Sequence, residues 1–368
     1  MSNIVKNTVL IAMTTMVMLG TSILNWVKPP EIYSDSERRV LAEFPELSIE
    51  TILNGEFTSK FETYTQDQFP FRDELRSLKA LAVYKLFGQL ENNDIYMVGD
   101  YISKLDYPLN EYMLNNSINK FNSIYDKFIK SSDCSVYLSI IPDKNYFLAA
   151  DNGYLSINYE YMINTLTNKL NYMEYIDITN VLNITDYYLT DTHWKQENIS
   201  KVADKIAESM GVRLDAEYEV KQATDSFNGV YVGQIAMPVK IDKLNYIYNP
   251  YLDDVIVTDY DTGMPKESRI YNLDEVNGKD PYEMFTSGST ALLVIENPNA
   301  TSDKELIIFR DSFGSSISPY FVEAYSRITL VDIRYIQSNM LGLIIKFDNQ
   351  DVLFLYSTML LNNSLAFK

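Results

Sequence analysis

The stretch Glu305–Gly314, ELIIFRDSFG, decides how the rest of the chain reads. Its first five residues are apolar after the opening Glu and show no polar alternation. A short run of that kind is a strand buried on both faces, which belongs in a parallel sheet. The chain then turns through D-S-F-G into a helix expected over 314–325. A Ser at the carboxyl end of a parallel strand, opening a helix, stands where open α/β sheets put ligands and nucleophiles. Its hydroxyl would be exposed on a tight turn, and amides at the helix start can donate to a developing oxyanion. A Ser that only caps a helix beside a Gly turn leaves the same letters.

Outward from this strand the pattern alternates. Cys134–Ile141 (CSVYLSII) is a second buried run, ended by Pro142, and further strands are expected at Tyr175–Ile178, Ile328–Val331 and Val352–Tyr356. Apolar residues at helical spacing predict helices over 110–130, 158–171 and 195–209, the last stopped by Gly211. A helical stretch over 51–88 should break at Phe69-Pro70-Phe71, because Pro removes a donor and restricts the residue before it. Between about 213 and 300 short strands (Tyr231–Gly233, Tyr246–Tyr248, Val255–Val257, Leu292–Ile295) lie among Gly, Asn, Asp and Pro turns, and this reads as a β-rich insertion. Strands separated by helices favour a mostly parallel sheet covered on both faces.

The N-terminus is of another kind. Thr8–Val27, TVLIAMTTMVMLGTSILNWV, contains no charge and is long enough to cross a bilayer as a helix. A secretory signal has a shorter apolar region and a small-x-small cleavage site. Residues 1–28 are therefore read as an uncleaved anchor, with secretion as the outcome if Leu19–Ser22 is cut. Residues 29–50 form a linker and 51–368 the folded domain, placed outside the membrane.

Composition narrows the chemistry. The 368 residues carry 50 acidic and 31 basic side chains, a net charge of −19, which argues against gripping phosphate backbones. One Cys excludes a disulfide framework, and one His, His193, excludes a His-rich metal site. No metal or cofactor is expected. Any imidazole chemistry falls to His193, which lies in Thr190-Asp191-Thr192-His193-Trp194. Asp and His two apart can face one cleft, with the carboxylate accepting from one ring nitrogen and the other left as a base. Asp191 as a plain helix cap is the competing reading. The lone His beside an Asp at one junction, and a Ser at another, make Asp191, His193 and Ser312 a Ser–His–Asp set.

The D-T-H-W and R-D-S-F-G blocks, in that order, resemble the SGNH-hydrolase-like DHHW proteins and the alginate O-acetyltransferases of bacterial envelopes. Further matching pieces are Glu37–Leu41, Phe44-Pro45, Gly55–Phe57, Asp67–Asp73 (DQFPFRD), Pro142–Lys144, Phe227–Gly229, Lys279–Tyr282 and Asp332–Tyr335, so the likeness covers nearly everything after the anchor. It implies a three-layer SGNH-like α/β domain, with Ser312 as nucleophile, His193 as general base and Asp191 as its orienting partner. Arg334, Tyr335, Phe313 and Gly314 become substrate or oxyanion candidates. Trp194 should pack under the His, while Asp67, Arg72 and Asp73 look structural. One departure is Arg310, where the family has Gly before Asp-Ser, which would set a bulky cation beside the nucleophile.

The resemblance further implies transfer of acetyl groups to hydroxyls of an extracellular polysaccharide. A multi-spanning membrane acyltransferase would supply the acetyl group, and the lipid bilayer would hold the N-terminal helix. An acetyl-polysaccharide esterase of the same fold and a non-catalytic glycan-binding or assembly protein are the alternatives.

Overall fold

The computed structural model describes residues 3–368. It divides into two compact units, one of residues up to Asn93 together with Val232–Pro238, the other of Asp94–Tyr231 and Val239–Lys368.

The first unit begins with helix α1 (Asn3–Val27), unburied along its length and long and apolar enough to cross a membrane. A small antiparallel pair, β1 (Tyr33–Ser34) and β2 (Arg39–Val40), follows. Three helices come next: α2 (Ile49–Leu53), α3 (Glu56–Asp67) and α4 (Arg72–Leu81), the last continued by a π-helical turn, Ala82–Leu86. The chain does break around Pro70. A second break falls at Asn54-Gly55, where Gly55 takes the left-handed conformation at φ 80° that glycine adopts without steric cost. Asp67 and Arg72 are structural: both Asp67 oxygens accept from Arg39, Oδ2 also accepts from Ala42 N, and Arg72 Nη1 reaches Glu37 Oε1 at 2.6 Å. The short strand β3 (Glu91–Asn92) closes this part of the chain.

The second unit opens with the hairpin β4 (Ile95–Val98) and β5 (Tyr101–Lys104), then α5 (Glu111–Ile124). Strand β6 (Ser135–Ile141) leads through α6 (Lys144–Leu148) and α7 (Tyr159–Lys169) to β7 (Glu174–Tyr175), and then to α8 (Ser200–Ser209). The region from 213 to 300 supplies the hairpin β8 (Glu219–Phe227) and β9 (Asp242–Tyr248), helix α9 (Val230–Ile235), and strands β10 (Ile256–Asp259), β11 (Lys266–Ser268) and β12 (Leu292–Glu296). The chain ends through β13 (Glu305–Arg310), α10 (Ser312–Ile317), β14 (Arg327–Val331), β15 (Asp351–Ser357) and α11 (Thr358–Leu361).

Eight strands form one sheet in the order β11-β10-β12-β14-β13-β15-β6-β7. From β14 to β7 the pairing is parallel, and from β11 to β14 antiparallel. Strand β13 alternates between two cores. Leu306 and Ile308 pack with Val202, Ile206 and Ala207 of α8 on one face, while Ile307 and Phe309 pack with Phe121 of α5 and Leu166 of α7 on the other. This is the three-layer α/β arrangement, and it explains why β13 reads as continuously apolar.

Several boundaries differ from the sequence reading. Tyr231–Gly233 is helical and not a strand: Val230 N donates to Asp191 Oδ2 and Tyr231 N to Thr190 O, so a tertiary partner satisfies the first amides of α9. The strand expected at Tyr175–Ile178 shrinks to Glu174–Tyr175. The helix expected from 314 starts at Ser312 and passes into 3-10 turns at Ser318, since Pro319 offers no donor to continue it. A 3-10 turn, Gln196–Asn198, precedes α8, so the D-T-H-W block lies on a loop and not at a helix mouth. Strands β10 and β12 are the antiparallel end of the main sheet.

Candidate functional site

The sheet delivers three chain segments to the carboxyl end of its parallel strands. Between β13 and α10 the chain turns at Asp311, whose extended backbone (φ −102°, ψ −165°) and side chain cap the helix. Asp311 Oδ1 accepts from Phe313 N at 3.0 Å and Oδ2 from Ser357 N at 2.8 Å, tying the turn to the end of β15. Ser312 is then the first residue of α10, half-buried at the rim. Gly314 follows because a Cβ there would lie 2.5 Å from Arg310 Cβ.

Asp191 and His193 arrive on the loop between Asp186 and Lys195. Tyr188 N donates to His193 O at 3.1 Å and Lys195 N to Asp186 O at 2.6 Å, closing the loop at its base. Three other segments hold it. Asp242 accepts from Leu189 N, Thr190 N and Thr190 Oγ1 at 2.6–2.8 Å. Lys144 Nζ, next to the end of β6, donates to Tyr188 O and Leu189 O, both at 3.1 Å. Gly229 N donates to Thr190 Oγ1 at 3.0 Å and Val230 N to Asp191 Oδ2 at 2.8 Å. A Cβ on Gly229 would fall 2.3 Å from the Thr190 carbonyl, so only glycine allows this approach.

The result is a continuous relay. Asp191 Oδ1 lies 2.6 Å from His193 Nδ1, and His193 Nε2 lies 2.7 Å from Ser312 Oγ. Burial alone would raise the Asp191 carboxyl. The charge interaction and hydrogen bond with His193, and the Val230 amide, outweigh it and hold the group well below the ordinary carboxylate range. An ionised Asp191 only accepts, so the proton of the imidazole sits on Nδ1, and Nε2 is left to accept from the Ser312 hydroxyl.

Aromatic rings fix the imidazole. Tyr282 stacks on it with centroids 3.8 Å apart and planes 8° from parallel, and Phe313 packs against it at 4.8 Å. Trp194 is fully buried against Phe313. Trp194 Nε1 and Tyr282 Oη each meet Ser316 Oγ at 2.8 Å, so one α10 hydroxyl joins the two rings. Tyr282, Asp242, Gly229 and Lys144 escaped the sequence reading as members of the site. Three of them lie in or beside short pieces that had been noticed, Lys279–Tyr282, Phe227–Gly229 and Pro142–Lys144, and nothing local marks Asp242.

The other candidates divide: Phe313 and Gly314 lie in the Ser312 turn, with Phe313 against the imidazole, while Arg334 and Tyr335 engage a carboxylate and each other. Arg334 forms a two-pronged pair with the fully buried Asp332 (Nε–Oδ1 2.9 Å, Nη2–Oδ2 2.6 Å), and Tyr335 is exposed beside its guanidinium. The amides of Phe313 and Gly314 are engaged within the turn, by Asp311 Oδ1 and Asp311 O, both at 3.0 Å. Arg310 does not present a cation at the rim. Its side chain is fully buried and turns into the fold, with Nη2 3.3 Å from Gly288 O and Nη1 3.8 Å from Asp332 Oδ2. Among the described residues no group of three acidic, Cys or His side chains is arranged to hold a metal ion.

No protein-family model matches the chain, and no curated protein matches it in sequence. Solved structures do resemble it. A DHHW family protein from Eubacterium siraeum superposes with a TM-score of 0.56 at 20% identity, over 75% of this chain and 94% of that one. Bacillus cereus PatB1, solved both with a sulfonyl adduct and without, superposes with a TM-score of 0.55 at 16% and 17% identity, over 73% of this chain and 97% of that one. The chain thus has the fold of a DHHW family protein, the fold its D-T-H-W and D-S-F-G blocks had suggested.

Proposed function

We propose that the protein is an O-acetyltransferase acting on hydroxyl groups of an extracellular or cell-envelope polysaccharide through an acetyl-serine intermediate. The observation that carries this reading is the relay from Asp191 through His193 to Ser312, with links of 2.6 and 2.7 Å, the second joining residues 119 positions apart. Support for a nucleophile in this fold comes from PatB1, which has been captured with a sulfonyl adduct, a group that activated nucleophilic side chains take up. The acetyl and polysaccharide parts of the reading rest on the resemblance to the DHHW and alginate O-acetyltransferase blocks.

The geometry supports the following steps. His193 Nε2 takes the Ser312 proton as Oγ attacks the acetyl carbonyl. The imidazolium, steadied by ionised Asp191, returns that proton to the departing donor, leaving acetyl-Ser312. A sugar hydroxyl then loses its proton to the same nitrogen and attacks the ester, and Ser312 regains a proton as it leaves. Water competes for the ester, so transfer needs a sugar held in line, an advantage worth several kcal/mol.

Helix α1 fits a membrane anchor, and with the folded units outside the membrane, acetyl-CoA would be out of reach. A multi-spanning acyltransferase passing the acetyl group across is the partner this topology calls for.

The test uses the full chain in detergent with an activated acetyl ester and an oligosaccharide. Acetyl on the sugar with an acetyl mark on Ser312 is the expected result. Acetate released with no acetylated sugar would point to an esterase, and absence of turnover to a binding protein. Ser312→Ala should remove all turnover while leaving the melting curve unchanged.

A further inference from the structure

Helix α4 is built the wrong way round for a helix that packs through its apolar face. Arg72 and Arg76 turn inward, with side chains 22% and 24% exposed, and both bind Glu37 Oε1, at 2.6 and 2.9 Å. Arg76 Nη2 also donates to Gly233 O at 2.6 Å. Ala80 is the helix's one buried residue. Positions 72, 76 and 80 follow one face at helical spacing. The face formed by Phe71, Leu75 and Leu78 points away from the protein at 62%, 45% and 63% exposure. Farther along the chain Leu86, Phe87 and Leu90 are each more than 60% exposed. These six large apolar side chains, exposed within twenty residues, mark a candidate interaction site.

Chain connectivity says where that surface lies. Gln68, between α3 and α4, clasps the backbone of Glu31 twice: Glu31 N donates to its Oε1 at 2.9 Å, and its Nε2 donates to Glu31 O at 2.8 Å. Glu31 is four residues beyond the end of α1 at Val27. Four residues span at most about 14 Å. The 25 residues of α1 make a helix of about 37 Å, longer than the roughly 30 Å hydrocarbon core, so its end reaches the headgroup layer when it spans. Gln68 is therefore held near that layer, and Phe71–Glu74 at the start of α4 line one cleft with Leu24, Lys28 and Glu31 around the end of α1. Charge agrees. The whole chain is at −19, yet with Arg72 and Arg76 turned to Glu37 the outward charges of residues 69–90 balance, Lys79 and Lys85 against Asp73 and Glu74, so the surface carries none of the chain's acidic surplus. Apolar residues flanked by exposed lysines are the pattern of a helix lying in a membrane interface.

We propose that the outward face of α4 and its continuation to Leu90 lies in the lipid interface of the membrane that α1 crosses. Lipid is the occupant, with the lysines reaching the phosphates. The contact holds the N-terminal unit down on the bilayer. The proposal rests on the anchor reading of α1, and the experiment keeps the two apart.

The full chain carrying Cys134→Ser is reconstituted in nanodiscs of phosphatidylcholine and phosphatidylglycerol, with a nitroxide on a single cysteine. The positions are Leu75→Cys, Leu78→Cys and Leu86→Cys, with Asp73→Cys on another face and Met16→Cys inside α1. Collision with oxygen, which concentrates in lipid, is compared with collision with a water-soluble nickel chelate. The expected result is oxygen-dominated relaxation at 75, 78, 86 and 16 and nickel-dominated relaxation at 73. Nickel-dominated relaxation at 75, 78 and 86 with oxygen still dominant at 16 overturns the lipid contact and leaves the anchor standing. Nickel dominance at 16 as well removes both. Labels at 75, 78 and 86 shielded from both reagents mean a protein covers the face, which also overturns the proposal.

Discussion

Gly229→Ala tests whether the loop carrying Asp191 and His193 is positioned by close backbone approach. An added methyl would lie 2.3 Å from Thr190 C and O and 2.4 Å from Asp191 N, where ordinary contact begins at 3.4 Å. All three obstacles are main-chain atoms, so the two segments must part by about 1 Å, and no side chain can swing aside. Three hydrogen bonds cross this contact: Gly229 N to Thr190 Oγ1, Val230 N to Asp191 Oδ2 and Tyr231 N to Thr190 O. Overpacking of this sort costs ~1–3 kcal/mol, and a weakened bond to an ionised group adds ~1.5–3 kcal/mol. With incomplete additivity the loss is roughly 3–5 kcal/mol, which lowers the melting temperature by about 6–10 °C in a unit of this size. A shift of about 1 Å in Asp191 and His193 should also cost on the order of 100-fold in turnover, carried by kcat more than KM. Calorimetry reads the first effect without any substrate, and an activated-ester assay reads the second. A variant melting within a degree of the parent, with turnover within twofold, would refute the argument that glycine is required here.

Three further outcomes follow from the same geometry. Asp191→Asn should cut turnover by about 10⁴-fold, because Nδ1 loses its ionised acceptor. The stability that Asp191 contributes through its lowered pKa is complete above the ordinary value of 3.8 and is lost as pH falls through the depressed folded value, so urea melts of parent and variant should differ most at pH 5–7 and converge in acid. Burial, opposed in part by Asp191 and Asp242, pushes Lys144 down to about 7; between there and its ordinary 10.5 the unfolded chain binds the extra proton. Parent stability relative to Lys144→Met should therefore rise with pH across that window, and equal slopes would contradict it. Tyr282→Leu should lower kcat about tenfold by freeing the imidazole, while Tyr282→Phe, which keeps the stack on His193 and loses only the Ser316 contact, should retain most of it.

Much of this was legible in the linear chain because it is local. Short, β-branched apolar runs such as Leu306–Phe309 favour strands buried on both faces, Pro70 must interrupt a helix, and twenty uncharged residues from Thr8 announce a segment fit for a bilayer. A single His confined any imidazole chemistry to one residue by counting alone. Asp191 was readable beside it because the two share a loop.

Tertiary structure decided what depends on partners remote in sequence. Val230–Ile235 is helical against the strand preference of its Val-Tyr-Val run, because Asp191 and Thr190 receive its first amides across 39 and 41 positions. Arg310 looked like a cation beside the nucleophile until the fold enclosed it near Gly288 and Asp332. Tyr282 became the ring that orients the imidazole only when the chain from β11 to β12 brought it onto His193. Asp242 carries no motif, since its carboxylate acquires meaning only from the three donors the Leu189–Thr190 loop turns toward it. Local letters encode backbone preference and burial. Hydrogen-bond partners, close approaches and buried charge are properties of distance in space, which a one-dimensional pattern does not contain.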